Sequence, residues 1–271
     1  MTEGRHEQTI AELVSFEWPR LDDPRWVDHN GERVLVGVWG EGYAPLRAEP
    51  ALFRKFSDLD DTEAAFADFA CKYGDYRPVT REREYVGDNA RGIPLMGHTL
   101  TYWKHERQLL GLVVRLWDAL RASRPEDVLG NDVETQPTGG ELFVCFRRPS
   151  DSVMEPIVTI PKNSSPRRVV QAALAALVSR ECHANAALAV SPGQQRIYES
   201  GLRLTFAVWD LKGAMWLQLA LAIDGNREYR PCAGCGDQWD ATGARATRTY
   251  CSERCRQRIA RRSKGGGDDG R

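Results

Sequence analysis

Four of the seven cysteines lie close together near the C-terminus, in two pairs. Cys232 and Cys235 form a Cys-x2-Cys pair, and Cys251 and Cys255 form a Cys-x3-Cys pair after fifteen intervening residues. Cysteine thiolates are zinc ligands, and two such pairs supply the four ligands of a tetrahedral site. Since four sulfurs leave no coordination position for water, the spacing predicts one structural Zn²⁺ and not a catalytic one.

The other three cysteines, Cys71, Cys145 and Cys182, are scattered singly along the chain. An odd number of cysteines with one clustered set is typical of a metal protein and not of a disulfide framework. Each isolated cysteine lies in an apolar or mixed stretch, which predicts a free and buried thiol. Iron–sulfur ligation is the competing interpretation of the clustered cysteines, although their spacings differ from the usual cluster sequences.

An arginine-rich helix is predicted directly after the second cysteine pair. Ser252 is a favourable N-cap, and residues 253–263 have high helix propensity, which places Cys255 in the first turn. Four arginines recur at i, i+4, i+7 and i+8 and form one basic stripe, which suits a phosphate backbone. The candidate nucleic-acid contacts are Arg248, Arg254, Arg256, Arg258, Arg261, Arg262 and Lys264. The expected partner is therefore nucleic acid, with duplex DNA as the first choice.

A second interpretation gives the arginines a structural role. Four thiolates around Zn²⁺ carry a net charge of about −2, which neighbouring guanidinium groups can balance. Residues 245–264 contain eight basic side chains and a single acidic one, Glu253, which is more positive charge than this balance needs. The alternatives that stay open are a zinc-stapled structural or protein-interaction module and an RNA-binding module.

The fifteen residues between the cysteine pairs are long enough for a short hairpin. Its expected arms are residues 238–239 and 248–250. Trp239 and Tyr250 are expected to pack over the metal site, since aromatic residues beside a zinc knuckle belong to its small core. This arrangement predicts a treble-clef or ribbon-like module.

The same segment carries a family resemblance. Residues 232–264, with Trp-Asp after the first pair, Tyr-Cys-Ser at the second, and Cys-Arg-Gln-Arg leading into Ala-Arg-Arg-Ser-Lys, resemble the CGNR-type zinc finger. Segments 52–75 and 216–232 look like the bodies of uncharacterised bacterial proteins that carry this finger. The resemblance implies a bacterial, DNA-binding regulator with the four cysteines as zinc ligands. In this chain, Cys-Arg-Gln-Arg stands where the family has Cys-Gly-Asn-Arg, and the first pair is tighter.

The residues before the module predict an α+β fold with a mainly helical body and a few short strands. Runs of β-branched and aromatic residues indicate strands at 34–39, 142–146 and 156–160, and the last two are expected to form one hairpin. Apolar periodicity or helix propensity indicates helices at 62–73, 99–122, 167–190 and 198–223. Residues 76–97 are broken by proline and glycine and are predicted to be a long surface connection.

These elements suggest three segments. Residues 1–225 form the body, with two subdomains divided near residues 125–140 as an alternative. Residues 226–264 form the zinc module with its basic helix. Residues 265–271, rich in glycine and aspartate, are predicted to be a disordered tail.

Composition and motifs argue against several classes of protein. The N-terminus lacks a secretory pattern, and the longest apolar run, 211–223, is too short to cross a bilayer, so a cytoplasmic protein without a membrane segment is expected. No phosphate-binding loop, dinucleotide fingerprint or nucleophile elbow occurs, and the five histidines are dispersed. No enzymatic activity is therefore predicted, while a homodimer and a small-molecule ligand of the body stay open.

Overall fold

The computed structural model describes residues 16–76, 84–89, 92, 94–147, 154–192 and 202–265, and the first element of its fold is an antiparallel sheet. The strands of this sheet are β1 (Trp18–His29), β2 (Glu32–Tyr43), β3 (Glu84–Asp88) and β4 (Pro94–Thr99), in the order β1-β2-β4-β3. The predicted strand at 34–39 is the middle of β2. Positive φ angles of 52° at Asn30 and 83° at Gly31 make the tight turn between β1 and β2.

The prediction of a surface connection at 76–97 is wrong, because these residues include β3 and most of β4. Glycines interrupt the alternation of apolar and polar residues there, so the local sequence does not indicate strands. A bulge separates Tyr85 from Gly87, and Gly97 lies where β4 approaches the backbone of Leu35 in β2. Strand formation depends on such cross-strand neighbours, which the local sequence does not reveal.

Helices pack against this sheet and form much of the core of the body. They are α1 (Pro45–Ala48), α2 (Leu52–Ser57), α3 (Glu63–Tyr73) and α4 (Leu100–Arg121). The predicted helices at 62–73 and 99–122 are confirmed as α3 and α4. Thr62 and Thr99 cap them, since each side-chain oxygen accepts a hydrogen bond from a backbone N–H three residues later.

A three-stranded antiparallel meander follows a short 3-10 helix at Pro125–Asp127. Its strands are β5 (Val133–Thr138), β6 (Glu141–Arg147) and β7 (Met154–Pro161). The predicted hairpin of 142–146 with 156–160 is confirmed by the pairing of β6 with β7. Strand β5 was not predicted, because its mostly exposed residues include Pro137 and lack an apolar alternation.

The last part of the body alternates helix and strand: α5 (Pro166–Asn185), β8 (Ala186–Pro192), β9 (Leu202–Val208) and α6 (Leu211–Asp224). The helices predicted at 167–190 and 198–223 are therefore too long, since β8 and β9 pair with each other. Their alanine and leucine content favours helix, and strand pairing overrides that propensity. With twelve-residue strands in β1 and β2, the body also has more strand than predicted. No helix in these described ranges is long and apolar enough to cross a bilayer.

One continuous hydrophobic core joins the two halves of the body. Helix α4 lies at its centre and buries Trp103 and Leu110 completely. The same cluster includes Phe146 of β6 and Trp216 of α6, so apolar contact continues across residues 125–140. The domain boundaries themselves stay predictions.

The isolated cysteines only partly follow their predicted burial. Cys145 is buried and Cys182 is half-buried, but Cys71 is exposed on α3. The prediction is wrong for Cys71 because the apolar face of α3 is formed by other positions, among them Phe66 and Phe69.

Replacement of Gly97 by alanine tests the close approach of β4 to β2. A Cβ atom at position 97 would overlap the carbonyl oxygen of Leu35, and overpacking of this kind costs about 1–3 kcal/mol of unfolding free energy. We expect Gly97→Ala to lower the urea midpoint accordingly. Gly42→Ala is the matched control, because nothing lies within 4 Å of its added Cβ. Equal stability of the two variants would contradict the packing.

Candidate metal centre

The C-terminal module consists of a hairpin, a loop and a helix. Strands β10 (Tyr229–Pro231) and β11 (Gln238–Asp240) pair antiparallel, and helix α7 (Glu253–Gly265) follows after an irregular loop. The first cysteine pair lies at the tip of this hairpin, and residues 232–237 between the two strands are called the knuckle. The predicted hairpin between 238–239 and 248–250 is wrong, because β11 pairs with the residues before the knuckle instead.

The structure brings the four predicted cysteines together. The Sγ atoms of Cys232, Cys235, Cys251 and Cys255 all lie within 4.8 Å of one another. Cys235 and Cys251 have their sulfurs 3.8 Å apart, and Cys251 and Cys255 have theirs 3.5 Å apart. A tetrahedral zinc with Zn–S distances of about 2.3 Å would separate its sulfurs by about 3.8 Å. The four thiols therefore form one metal site with the dimensions of a four-sulfur centre.

Backbone amides donate hydrogen bonds to the buried sulfur of Cys232 and favour its thiolate form, which is the form that binds a metal cation. The N–H groups of Gly234 and Cys251 donate to this Sγ over 3.4 Å and 3.3 Å. Burial alone would raise the pKa of Cys232, but these backbone hydrogen bonds outweigh it and lower the pKa to about 6. Burial and neighbouring thiols raise the pKa of Cys235 to about 12. A metal that binds here must therefore displace protons from part of the cluster.

The second cysteine pair is positioned by the start of helix α7. Ser252 caps the helix as predicted, because its Oγ accepts a hydrogen bond of 3.3 Å from the N–H of Cys255. The knuckle packs directly on this turn. A Cβ atom at Gly234 would lie 3.1 Å from the Cβ of Cys255, so a small residue is required there. At Gly236 the positive φ of 77° closes the knuckle.

A small core surrounds the sulfurs. Trp239 is 8% exposed and clusters with Ala241, Cys232 and Cys255, and Tyr250 packs against this cluster. The prediction that both aromatic residues pack within the module is thereby confirmed. Few apolar side chains contribute, so burial alone supplies little stabilisation to this segment.

Arg248 holds the loop against the metal site. Its guanidinium lies 4.6 Å from the centre of the Trp239 ring. It also donates to the carbonyl oxygens of Tyr250 and Cys251 over 3.2 Å and 2.9 Å. Although Arg248 was a predicted nucleic-acid contact, its hydrogen bonds serve the second cysteine pair.

The other predicted nucleic-acid contacts differ in their surroundings. Arg256 pairs with Glu253 at 2.7 Å, and Arg258 donates to the Sγ of Cys255 at 3.5 Å. Arg254 and Arg261 are exposed and form no ion pair or hydrogen bond with the described residues. The side chains of Arg262 and Lys264 lie outside the described part of the chain, as do residues 266–271 of the predicted tail. Gly265 ends α7.

The module docks on the body through a contact that the sequence analysis missed. The Tyr229 ring packs edge-on against Phe53, with ring centres 5.5 Å apart, and also contacts Trp117. An ion pair of 2.6 Å joins Lys55 of α2 to Asp237 of the knuckle. The hydrogen bond from Lys55, together with its positive charge, lowers the pKa of Asp237. No local pattern marks these residues, since they meet only in the folded chain.

Comparison with known proteins adds no relative to this picture. No protein-family model, no curated protein and no solved structure matched the chain. The resemblance to the CGNR-type zinc finger therefore stays a prediction from the sequence.

Removal of one sulfur tests the metal site. Purified protein should contain one metal ion per chain by elemental analysis, and Cys232→Ser should reduce this content severely because three sulfurs hold the metal less tightly. Cys71→Ser is the matched control, since Cys71 is exposed and lies outside the cluster. Equal metal content in the two variants would contradict the site.

Loss of Arg248 should weaken the metal site indirectly. Residues that orient metal ligands typically contribute about 10- to 100-fold to metal affinity, and Arg248 holds the backbone of Cys251. We expect Arg248→Ala to release zinc more readily to a competing chelator. Arg256→Ala is the control on the same module, because the side chain of Arg256 bonds only to Glu253 among the described residues. A normal zinc affinity in Arg248→Ala would contradict this role.

Proposed function

We propose that the C-terminal module binds one structural Zn²⁺ and contacts the phosphate backbone of duplex DNA through helix α7. The observation that supports the DNA contact is the basic face of α7, which is formed by the exposed side chains of Arg254 and Arg261. Arg254 and Arg261 are seven positions apart, about two helical turns, and therefore point the same way. Both are exposed and make no polar contact with the described residues, which leaves their guanidinium groups available to phosphate oxygens.

The choice of zinc follows from the donor set. Four thiolates at the spacing of a tetrahedron suit Zn²⁺, and the knuckle, loop and helix occur in the order of a treble-clef module. A bound zinc would supply the cross-link that the small core lacks and would have no open position for catalysis. Helix α7 is then held at a fixed angle to the hairpin by Cys255.

The charge around the centre supports two different roles for the arginines of the module. Zinc with four thiolates has a net charge of about −2. Arg258 contacts a sulfur and Arg248 bonds the backbone at Cys251, so these two offset that charge. Arg254 and Arg261 remain as surplus positive charge facing solvent, and Arg245 in the loop is also exposed. Such a surplus attracts a polyanion.

The docking contacts leave the basic face accessible. Tyr229 and Asp237, which contact the body, belong to the hairpin. The arginines of the proposed contact belong to α7. A duplex could therefore approach α7 while the hairpin stays on the body. A bacterial, cytoplasmic regulator of the CGNR type is the biological setting that this proposal adopts.

A second candidate function is a zinc-stapled structural or protein-contact element. The docking of Tyr229 against Phe53 and the structural use of Arg248 favour it, since both tie the module to the fold. RNA is the alternative polyanion. The salt dependence of binding separates nucleic-acid contact from the structural role, and the relative affinities for DNA and RNA separate the two polyanions.

Binding to a duplex of mixed sequence should weaken steeply with salt. The logarithm of affinity falls by about 0.9 per phosphate contact for each tenfold rise in salt, so Arg254→Ala/Arg261→Ala should reduce the slope by roughly 1.8. Fluorescence anisotropy at several salt concentrations measures this. The charge-matched control is Arg25→Ala/Arg124→Ala, which removes two exposed arginines of the body.

Three outcomes decide the proposal. A reduced slope in the α7 variant alone, with zinc content unchanged, supports it. Absent binding at low salt, or equal slopes in both variants, contradicts DNA contact and favours the structural role. Tighter binding to an RNA of the same sequence overturns the choice of DNA.

A further inference from the structure

An open cleft of about 720 Å³ lies in the body between the end of α4, helix α5 and the end of α6. Each helix contributes an apolar side chain to its lining: Leu120 from α4, Val178 from α5 and Ile223 from α6. Val178 and Ile223 are only half-buried, so part of their apolar surface is left uncovered. Small-molecule sites have volumes of about 300–1,000 Å³ and combine apolar walls with a few polar groups. The cleft therefore has room for a small ligand with an apolar part.

Two arginines line the same cleft. The guanidinium of Arg121, the last residue of α4, lies 5.4 Å from the centre of the Trp117 ring. Arg167, in the first turn of α5, donates through Nη1 to the carbonyl oxygen of Leu120 over 3.3 Å. Neither arginine forms an ion pair with a described residue. An anion within the cleft would therefore meet two guanidinium groups that have no ion-pair partner in this part of the chain.

The N–H donors of both arginines are accessible. Arg167 is exposed, and its hydrogen bond to Leu120 leaves most of the N–H groups of its guanidinium unused. Arg121 is half-buried, yet none of its nitrogens is among the fully buried side-chain atoms that lack a partner in the described chain. Since the side chain of Arg121 makes no hydrogen bond to a described residue, its nitrogens keep surface that a bound molecule can contact. Both arginines can therefore donate hydrogen bonds to a ligand in the cleft.

The surrounding charges specify the sign of that ligand. Asp224 is the only acidic residue of the lining, and it forms no ion pair with a described residue. Glu228, whose carboxylate also lies within range of the charge of Arg121, is already bonded to Arg230 at 2.6 Å. Two guanidinium groups against the single carboxylate of Asp224 leave one positive charge in excess. The cleft therefore favours a ligand with one negative charge.

The shape of the guanidinium group narrows the chemistry to a carboxylate. Its planar fork of N–H donors matches the two oxygens of a carboxylate, which accept paired hydrogen bonds. A phosphate monoester offers similar oxygens but carries about 1.5–2 negative charges at pH 7, which exceeds the surplus positive charge of the lining. The apolar side chains beside the arginines suit the hydrocarbon part of an organic acid.

We propose that this cleft binds a small monocarboxylate with an apolar body. The carboxylate accepts hydrogen bonds from Arg121 and Arg167, and the apolar part lies against the aliphatic side chains of the three helices. The site is separate from the metal centre and does not rest on the proposed DNA contact. Trp117 lines the cleft and also contacts Tyr229 of the module, so the ligand lies beside the surface on which the module docks.

The experiment compares three probes of similar shape on the full-length protein by NMR titration at constant ionic strength. They are 3-phenylpropionate, which is anionic, 3-phenylpropanamide, which is neutral, and 3-phenylpropylammonium, which is cationic. Because a hydrogen bond to a charged group contributes about a factor of ten or more, we expect saturable binding of the carboxylate about tenfold tighter than that of either other probe. If the amide or the ammonium binds as tightly as the carboxylate, the proposal is overturned without any need for a variant.

A variant pair tests the role of Arg121. Arg121→Gln removes the charge and the fork of donors, and it should weaken the binding of 3-phenylpropionate about tenfold. Arg124→Gln is the charge-matched control, since Arg124 is exposed, lies outside the cleft and pairs with Asp127. Wild-type affinity in Arg121→Gln, or an equal loss in both variants, would contradict the proposed contact with the carboxylate.

A second pair locates the apolar part of the ligand. Ala175 of α5 lines the cleft and is exposed, so the larger side chain of Ala175→Leu should occupy the cleft and weaken binding. Ala184→Leu, an exposed change on the same helix outside the cleft, should leave binding unchanged. Unchanged binding in Ala175→Leu would contradict the site.

A third variant excludes the basic face of α7 as the place where the anion binds. Arg254→Ala/Arg261→Ala should bind 3-phenylpropionate like the wild type, because these arginines lie outside the cleft. Loss of binding in this variant alone would place the anion on the module and overturn the proposal for the body.

Discussion

The convergence of four cysteine sulfurs is the constraint around which the C-terminal module is arranged, and that segment buries few apolar side chains of its own. The hairpin, the start of α7 and Gly234 are all arranged around this convergence. The hairpin of β10 and β11 offers one pair from its tip, and α7 offers Cys255 from its first turn. Gly234 is confined to a small side chain because the two pieces touch there. Small domains commonly replace a hydrophobic core with a metal in this way.

Positive charge around the centre is used in two ways. Arg248 and Arg258 bond to the immediate surroundings of the sulfurs, where they offset negative charge and fix the loop. Arg254 and Arg261 extend away from that network. By helical period alone, Arg254, Arg258 and Arg261 lie on one face of α7. Contacts in the folded module separate a structural arginine from those free to meet a partner.

The body supplies the platform for the module and has a buried cluster of ion pairs of its own. Helix α4 carries both: Trp117 near its end contacts Tyr229 of the module, and Glu106 in its first half meets Lys212. The buried ion pairs need rigid surroundings, since water that entered a loosely packed core would weaken the attraction between the charges. The aromatic core around Trp103 provides that frame.

The sequence by itself determined the metal ligands, the capped helices α3 and α4, the helix after Ser252 and the hairpin of β6 with β7. In each, the signal is local: ligand spacing, a cap, an apolar period or two β-rich runs. Only the tertiary structure decided that 186–192 and 202–208 are strands, that β11 pairs with β10, and that Glu106, Glu181 and Lys212 meet. These depend on contacts between residues distant in the chain, where pairing and burial outweigh local propensity.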